Sequence, residues 1–580
     1  MKLSENGRAC ASIQIAPDAS EPVRYAAQEL AHFLSQICGD TFPVSTGHME
    51  KTEPEILVGT SPRTDALDIT GEILALGQEG TLIRVVDDNL VLGGNGRGAL
   101  YCVYSFLEDC LGVRFFTPND TYVPEQPTME IADHTDCTYH PVLEYRDPHI
   151  GEMMHYPDFA VRRRANGWSV PFEAQHGGSV RYADGFFVHT VTKLLPPDQY
   201  FDEHPEYYAL RDGERLREKT QLCLSNPEVV SLVIERVKGE LRRQPDATIF
   251  SVSQDDNYNV CTCDKCRAID EEEGSHAGTM IRFVNQVAEA IEEEFPNVVI
   301  DTLAYQFTRT PPKKTKPRKN VCVRLCTIEC CFIHPLRECR TDDPDAPMPN
   351  GEVSLAEDII GWSKICDRLY IWDYVTNFSH YWMPHPNFHV LADNIRFFVE
   401  HGAKGIFEQG CPAPNGGEMT NLRAYIISKC LWNPNTDEQK TADEFLTYLY
   451  GPAAPLMKEY METVYHAALD KGCHLYCFNH PDKPWHTMEL VEQCESLFNR
   501  MEDTASSPAI LWRIRRERMA VRYLRILLTE KGSDARAQLL DAFERDVKTY
   551  GVDQLWEHGT MEFCLDVLRG NKEPGYWWGK

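Results

Sequence analysis

The sequence contains no apolar run that approaches the length of a membrane span, so it does not predict an integral membrane protein. Its first residues, MKLSENGRACASIQIAP, also lack the hydrophobic region of a signal peptide. We therefore expect a cytoplasmic protein, with a secreted protein whose signal peptide has been removed as the alternative. The chain has 580 residues, of which 42% are hydrophobic and 25% charged, as is usual for globular proteins.

Positive charge is scarce in this chain. It has 58 Lys and Arg residues against 88 Asp and Glu residues, and its formal net charge is −30 at pH 7. A surface this acidic repels the phosphates of nucleic acids and of anionic membranes, so we expect neither as a partner. It is still compatible with a locally basic pocket that binds an acidic ligand. No stretch marks a surface for self-association, which leaves the oligomeric state open.

A disulfide framework and a dinucleotide-binding motif are also missing. The 21 cysteines are odd in number and lie mostly in apolar segments, which is typical of reduced thiols. The glycine-rich residues 93–98 lack the full dinucleotide-binding spacing, and no acidic residue is placed to bind a ribose. We therefore interpret them as a tight turn that leads into a helix over 99–111.

The stretch with the most chemistry is residues 248–266, TIFSVSQDDNYNVCTCDKC. Its apolar residues 249–252 predict a buried strand, and Asp255 and Asp256 follow where that strand ends. Adjacent carboxylates raise each other's pKa by like-charge repulsion, and such a pair often serves as an acid and a charge stabiliser. The alternative is a turn before a helix N-cap, because Asp and Asn side chains bond to nearby backbone amides.

The length predicts more than one hydrophobic core, and we divide the chain into three domains. Residues 1–135 predict a small α/β domain, and residues 436–580 show the apolar spacing of a helical domain. Residues 140–435 alternate strands with helices, so the predicted fold class is α/β with a central (β/α)8 TIM-like barrel. The eight predicted barrel strands are 143–145, 185–188, 221–224, 249–252, 298–304, 321–326, 368–371 and 405–407.

Carboxylates and aromatic rings follow the predicted barrel strands, where the active site of such a barrel lies. Aromatic walls stack against sugars and raise the pKa of a nearby carboxylate by excluding water. Paired carboxylates are the apparatus of glycoside hydrolysis, although each residue alone is compatible with a capping or core role. The catalytic candidates are Asp255, Asp256, Asp373 and Glu408. The substrate-binding candidates are Arg146, His189, Tyr305, Trp372, Tyr374 and Gln409.

Two parts of the sequence resemble known families. Residues 96–101 (GRGALY) and 111–115 (LGVRF) resemble the N-terminal domain of family 67 glycoside hydrolases, the α-glucuronidases, and the related domain of hexosaminidases. The middle of the chain, about 140–450, resembles an uncharacterised bacterial family. Its motifs are 204–207 (HPEY), 253–256 (SQDD), 261–266 (CTCDKC), 372–374 (WDY) and 407–410 (FEQG). The resemblance implies the small α/β domain, barrel and helical domain already expected.

The resemblance implies two chemistries. By analogy with family 67, Asp256 or Asp255 would be the acid, with Asp373 and Glu408 as base candidates. That family uses a glutamate acid in a different local motif, however. By analogy with hexosaminidases of families 20 and 84, Asp255 would steady the substrate's acetamido nucleophile and Asp256 would be the acid. In that analogy Arg146 would hold sugar hydroxyls and Tyr305 would hydrogen-bond the substrate, while Gln254 departs from a glycine-rich approach to the pair.

We therefore expect an enzyme, an exo-acting glycoside hydrolase that cleaves a terminal N-acetylhexosaminide or uronide. Its partner would be an oligosaccharide or glycoside, and catalysis would require no cofactor. A catalytically silent carbohydrate-binding barrel is the alternative from another class, and a redox or metal-handling protein is a third.

Cysteines directly follow the acidic pair. Cys261, Cys263 and Cys266 have a spacing that suits thiolate ligation of a structural zinc ion. A tetrahedral site needs a fourth ligand, for which His276, Cys326 or Cys330 is the candidate. Free or transiently oxidised thiols are the alternative interpretation.

Overall fold

The computed structural model describes residues 1–46, 54–339 and 354–574. It divides into two compact units, one of residues 1–179 with 421–433 and one of residues 180–420 with 434–580. The three predicted domain boundaries stay a prediction. Among the described residues, no helix has the length and apolarity needed to cross a membrane.

The strands and helices are numbered in chain order. The strands are β1 (Lys2–Glu5), β2 (Arg8–Ala9), β3 (Ser12–Ile15), β4 (Val44–Thr46), β5 (Glu55–Val58), β6 (Thr81–Val86), β7 (Asn89–Gly93), β8 (Arg114–Thr117), β9 (Asp120–Tyr122), β10 (Met129–Glu130), β11 (Asp136–Tyr139), β12 (Tyr145–His149), β13 (Leu210–Arg211), β14 (Glu214–Arg215), β15 (Ile249–Ser251), β16 (Val299–Ala304), β17 (Val321–Cys326), β18 (Leu369–Tyr374) and β19 (Ala403–Gln409). The α-helices are α1 (Glu21–Cys38), α2 (Pro62–Ala66), α3 (Thr70–Ala75), α4 (Arg97–Ser105), α5 (Gly151–Met154), α6 (Pro157–Arg162), α7 (Val191–Leu194), α8 (Pro197–Tyr200), α9 (Pro227–Arg243), α10 (Asp264–Glu273), α11 (Ala277–Ile291), α12 (Leu355–Ser363), α13 (Phe388–Glu400), α14 (Thr420–Trp432), α15 (Glu438–Tyr450), α16 (Ala454–Leu469), α17 (Met488–Thr504), α18 (Pro508–Leu528), α19 (Asp534–Tyr550) and α20 (Met561–Arg569).

The first unit is built on a six-stranded mixed sheet in the order β11-β6-β7-β5-β3-β4. The apolar face of α1, with Leu30, Phe33 and Leu34, is buried in this unit. The glycine-rich residues after β7 form a tight turn, because a Cβ on Gly94 would lie only 2.3 Å from the carbonyl carbon of Gly98. The turn interpretation is therefore confirmed.

The second unit contains five parallel strands in the order β19-β18-β17-β16-β15. Helices α11, α12 and α13 lie between successive strands along the chain, as in βαβ units. The α/β class is therefore confirmed, whereas closure into an eight-stranded barrel stays a prediction. Because the strands are parallel, their carboxyl ends lie along one edge, where the candidate catalytic residues were expected.

Two predicted barrel strands are wrong. Residues 185–188 form no regular strand, although the backbone of Ser251 donates to Phe186 and thereby holds the segment beside β15. Residues 221–224 form only an isolated antiparallel bridge, between Leu222 and Tyr208. In this second segment the side chains of Gln221 and Cys223 contact the loop after β15. The segment is therefore held by side chains and not by the hydrogen bonds of the parallel sheet. The first predicted strand, 143–145, begins two residues later, as β12.

The predicted C-terminal helices are present as α15 to α19, with α20 in addition. Five of these six helices begin at a side chain that accepts a hydrogen bond from a backbone N–H of the first turn. These N-cap residues are Asp437, Thr487, Ser507, Ser533 and Thr560. The helix boundaries are therefore encoded locally.

A buried carboxylate fixes the loop before β17. The side chain of Glu273, at the end of α10, is 0% exposed and accepts from the backbone N–H groups of Lys314 (2.9 Å) and Thr315 (3.0 Å). Its carboxylate also pairs with Arg282. Burial opposes ionisation, but the hydrogen bonds from Thr315 and Lys314 outweigh it and lower the pKa of Glu273 to about 2.

We predict that Glu273→Gln lowers the free energy of unfolding by about 1.5–3 kcal/mol at pH 7, since a charged acceptor is lost from buried donors. The native pKa lies below the value of 4.5 in the unfolded chain, so the stabilisation is present above pH 4.5 and disappears as the pH falls toward 2. Urea unfolding at several pH values measures this loss.

Glu272→Gln is the matched control, because the neighbouring Glu272 pairs with Arg282 and Lys314 but is 43% exposed. The control should change stability by less than about 1 kcal/mol. Equal losses in the two variants would contradict the assignment.

Candidate active site

The loop after β15 is locked by one buried amide. Gln254 is 0% exposed, and its Nε2 donates to the backbone oxygen of Tyr305 at 2.9 Å. Its Oε1 accepts from the hydroxyl of Thr308, at 2.5 Å. The residue that departs from the hexosaminidase pattern therefore joins the loops that follow β15 and β16.

Asp255 turns toward α7, which contains Thr192. Its carboxylate accepts from the hydroxyl of Thr192. The side chain of Gln221 holds its backbone from both sides, because Oε1 accepts from the Asp255 N–H at 3.0 Å and Nε2 donates to the Asp255 carbonyl at 2.8 Å. Burial raises the pKa of Asp255, and the Thr192 hydroxyl and nearby His189 oppose that rise. Asp255 is therefore fixed in position and costly to ionise.

Asp256 is the exposed member of the pair. Its Oδ1 accepts from the hydroxyl of Tyr305 at 3.1 Å and from Nε2 of Gln306 at 3.3 Å. With both donors on Oδ1, the orientation of the carboxyl group is fixed while the side chain stays exposed. This arrangement can deliver a proton to a bound ligand.

Two residues beside the pair have left-handed backbone conformations, His189 with φ of +54° and Gln306 with φ of +51°. Such conformations are unfavourable for residues with side chains, and they concentrate at functional sites. Nδ1 of His189 lies 2.8 Å from the carbonyl oxygen of Gln254. A carbonyl only accepts, so Nδ1 carries the hydrogen and Nε2 is an acceptor.

Glu557 is a carboxylate that the sequence did not single out. It lies between α19 and α20, and its backbone N–H donates to Phe378, in the segment after β18, at 2.9 Å. Burial raises the pKa of Glu557, His558 opposes the rise, and the negative charge of Asp256 adds to it.

Asp373 and Glu408 form a separate, buried pair. They are direct neighbours on β18 and β19 and are only 4% and 1% exposed. Burial raises the pKa of Asp373 to about 6, although the hydroxyl of Thr327 donates to its carboxylate. Burial and the charge of Asp373 raise the pKa of Glu408 well above its ordinary value. Neither oxygen of Glu408 has a hydrogen-bond partner among the described residues.

The aromatic candidates lie on the other face of the sheet. Trp372 donates from Nε1 to Oε1 of Gln409 at 2.7 Å and stacks with Tyr374 at a ring distance of 6.3 Å. Successive side chains on a strand alternate between faces, so Asp373 and Glu408 point away from Trp372 and Gln409. The side chains of His189 and Tyr305 contact each other and bond the loop that carries Asp255 and Asp256. Asp373 and Glu408 are neighbours of each other on β18 and β19.

Arg146 lies in the first unit and is 1% exposed. Its Nη1 pairs with Oε2 of Glu79 at 2.7 Å, and its Nε donates to the carbonyl of Arg164 at 2.9 Å. Its guanidinium also lies over the ring of Tyr101. These contacts give Arg146 a structural role, and its predicted contact with sugar hydroxyls stays a prediction.

The cysteine cluster has a fourth member, Cys223. One ligand atom from each of Cys223, Cys261, Cys263 and Cys266 lies within 4.8 Å of all the others, and the sulfurs of Cys223 and Cys263 are 3.6 Å apart. The three candidates for the fourth position, His276, Cys326 and Cys330, are not in this group. Gln221, which holds Asp255, lies two residues before Cys223, so the cluster and the acidic pair share one segment.

Residues 115–462 match the family described as "Domain of unknown function (DUF4838)". The chain belongs to this family. Residues 2–106 match the model described as "Glycosyl hydrolase family 67 N-terminus". Both resemblances expected from the sequence are therefore confirmed, and Glu557 lies outside both matched ranges. No curated protein matches this DUF4838 chain.

One solved glycoside hydrolase shares the fold of this DUF4838 protein, and two others are less similar. A family GH115 4-O-methyl-α-glucuronidase, BtGH115A, with specificity for decorated arabinogalactans, has a TM-score of 0.56 at 11% identity, over 93% of this chain and 76% of that one. A GH138 enzyme targeting pectin rhamnogalacturonan II has a TM-score of 0.41 at 9% identity, over 97% and 98% of the chains. A family 89 glycoside hydrolase from Clostridium perfringens has a TM-score of 0.46 at 9% identity, over 90% and 65%.

We predict that Glu408→Gln stabilises the protein at pH 8 and leaves its stability unchanged near pH 4. The folded-state pKa of Glu408 lies above the value of 4.5 in the unfolded chain, so the parent loses stability as the pH rises above 4.5. Each unit of pKa difference corresponds to about 1.4 kcal/mol. Chemical unfolding across this pH range measures the effect.

Glu400→Gln is the control, because that carboxylate is half exposed and pairs with Arg337. It should show no such pH dependence. A Glu408→Gln variant with the same pH profile as the parent would show that Glu408 ionises normally.

Proposed function

We propose that the protein is an exo-acting glycoside hydrolase in which Asp256 protonates the glycosidic oxygen. One observation carries the proposal: Asp256 is exposed, oriented through Oδ1 by Tyr305 and Gln306, and placed beside the half-buried Asp255 at the carboxyl end of β15. An acid fixed in geometry but open to a ligand is what protonation of a leaving group needs. The family match to a glycoside-hydrolase N-terminus supports the same class.

Asp255 orients the substrate in this proposal. Its carboxylate is held by Thr192, so it is placed to accept a hydrogen bond from a substrate N–H or O–H without moving. The acetamido group of a terminal N-acetylhexosaminide supplies such an N–H and also its own nucleophile. An N-acetylhexosaminide is therefore the first substrate candidate. A uronide is the second, with Glu557 as the base that activates water.

Asp373 and Glu408 take no catalytic role in this proposal. Both are buried, and they lie on the sheet face opposite Trp372 and Gln409. The half-buried ring of Trp372 instead offers a surface on the side of the sheet that it shares with Gln409, whereas Tyr374 is buried behind it in the core. An apolar ring surface of this kind stacks against sugar C–H groups.

The exo mode rests on the segments that cover the edge of the sheet within the second unit. The backbone of Tyr381 donates to Leu555 at 2.8 Å, and Glu557 donates to Phe378 at 2.9 Å. These bonds hold the 555–557 segment against the chain that follows β18. A covered edge leaves a pocket rather than an open cleft, and a pocket binds the end of a glycan.

We also propose that Cys223, Cys261, Cys263 and Cys266 bind a structural zinc ion. With Zn–S bonds of 2.3 Å, a tetrahedral site has sulfurs about 3.8 Å apart, close to the 3.6 Å between Cys223 and Cys263. The backbone N–H of Leu210 donates to the sulfur of Cys261 at 3.4 Å, which suits a thiolate. Four protein ligands leave no open position, so this ion would hold the Asp255 segment in place without reacting.

We predict that Asp256→Asn lowers turnover of the preferred aryl glycoside by about 10²–10⁴-fold while substrate binding is retained. The panel consists of α- and β-glucuronides and N-acetylhexosaminides. Asp264→Asn is the matched control in the same stretch, because Asp264 is 95% exposed and bonds only Arg267 among the described residues. Glu408→Gln should retain turnover.

The outcomes of this panel are distinct. Turnover that survives in Asp256→Asn and disappears in Glu408→Gln would contradict the proposed acid and favour the buried pair. A parent protein that binds glycans but cleaves none of them would favour the silent carbohydrate-binding alternative.

We predict that Cys223→Ser removes one equivalent of zinc per chain, because the cluster loses one of its four ligands. Elemental analysis of purified protein measures the metal. His276→Ala is the control, since His276 bonds Asp270 at 2.6 Å instead of joining the cluster. Full zinc content in Cys223→Ser would contradict the site.

A further inference from the structure

A second group of metal-ligating side chains lies in the second unit, outside the sites described above. One ligand atom from each of Cys331, His334, Cys339 and His474 lies within 4.8 Å of all the others. The sulfur of Cys331 is 3.3 Å from Nδ1 of His334, and the sulfur of Cys339 is 3.7 Å from Nδ1 of His474. The rings of the two histidines meet edge to face, with their centroids 4.9 Å apart.

We propose that these four residues bind a second zinc ion, in a Cys2His2 site that no motif in the sequence marked. Bonds of 2.3 Å to sulfur and about 2.0–2.1 Å to nitrogen place a tetrahedral S–N pair about 3.5 Å apart. The two measured S–N distances, 3.3 and 3.7 Å, bracket that value. Two thiolates and two imidazoles are a donor set that selects zinc over magnesium, calcium or manganese.

The local fold explains why a metal is needed there. Three of the ligands lie in residues 331–339, which contain turns and bends but no helix or strand. The fourth, His474, lies 135 positions after Cys339, between α16 and α17. A segment without secondary structure has few internal hydrogen bonds, so a crosslink between its side chains would hold it in one conformation.

Backbone hydrogen bonds join the same two segments. The N–H of Phe332 donates to the carbonyl of Leu475 at 2.7 Å, and the sulfur of Cys477 lies 3.4 Å from the carbonyl oxygen of Ile328. The carbonyl of Cys477 in turn accepts from Phe378 at 2.7 Å. The four ligands therefore lie where two loops already meet, and an ion there would strengthen an existing junction.

This junction is connected to the segments that follow β17 and β18. Thr327, directly after β17, donates to Asp373. Residues 378–381 also form backbone hydrogen bonds with the 555–557 segment, which carries Glu557. The ion would therefore hold the segments that cover the carboxyl ends of β17 and β18. With all four positions occupied by protein ligands, it has a positioning role and no catalytic one. The metal site itself does not depend on the proposed hydrolase activity.

The test is the zinc content of the purified full-length protein and of three variants. We expect two equivalents per chain in the parent, one in His474→Ala and one in Cys223→Ser. His480→Ala is the matched control, because His480 lies in the same loop but pairs with Asp482. It should retain both equivalents.

The His474→Ala variant also has an internal control for folding. If it keeps the zinc of the four-cysteine cluster and its far-ultraviolet circular dichroism, the lost equivalent reports the second site and not unfolding. Replacement by Co2+ gives a second readout, because thiolate-to-cobalt absorption should fall in Cys339→Ser and persist in His480→Ala.

Two results would overturn the proposal. One is a parent protein with a single zinc that Cys223→Ser removes completely. The other combines two measurements. After metal is chelated, titration in denaturant finds two thiols fewer than the 21 cysteines, and reduction restores them. At the same time, His474→Ala leaves the zinc content unchanged. That second result would assign Cys331 and Cys339 to a disulfide.

Discussion

The candidate site depends on the hydrogen bonds that two glutamine side chains make to the loop after β15. Gln221 donates to and accepts from the backbone of Asp255, and Gln254 donates to the carbonyl of Tyr305 while accepting from Thr308. A glutamine side chain ends in both a donor and an acceptor, so each of these two residues donates one hydrogen bond and accepts another. Without these bonds nothing in the sheet itself would fix the directions of Asp255 and Asp256.

The second constraint is that cysteine and histidine side chains join segments that contain no helix or strand. The predicted third barrel strand is instead a loop that carries Gln221 and Cys223, and it reaches the cysteines that follow Asp256. The loop after β17 meets the His474 segment in the same manner. In both places cysteine or histidine side chains from distant parts of the chain come together near the edge of the sheet that carries the candidate carboxylates. The fold thus places its least regular segments, held by side chains, next to its most polar residues.

Much of this arrangement could be predicted from local sequence. Alternating apolar runs predicted five parallel strands of the second unit, helical spacing and capping residues predicted α15 to α19, and the acidic pair follows its strand as expected. The opposite directions of Asp373 and Trp372 were also readable, because neighbouring residues of a strand point to opposite faces.

Other features depend on contacts between distant positions. Cys223 joins its cluster from 38 positions before Cys261, and Arg146 pairs with Glu79 from a separate segment. Glu557, whose pKa the negative charge of Asp256 helps to raise, lies beyond both matched family ranges. None of these pairings has a spacing that a single sequence reveals, since each is created by the fold. The family resemblances predicted the architecture, but no residue roles follow from a family whose function is unknown.

A crystal structure of the Asp256→Asn variant with an uncleaved glycoside tests the central claim most directly. The account predicts that the glycosidic oxygen lies within hydrogen-bond distance, about 3 Å, of the residue-256 side chain, with the terminal sugar between it and Asp255. A sugar bound beside Asp373 and Glu408, or bound with its glycosidic oxygen remote from position 256, would contradict the assignment of Asp256 as the acid.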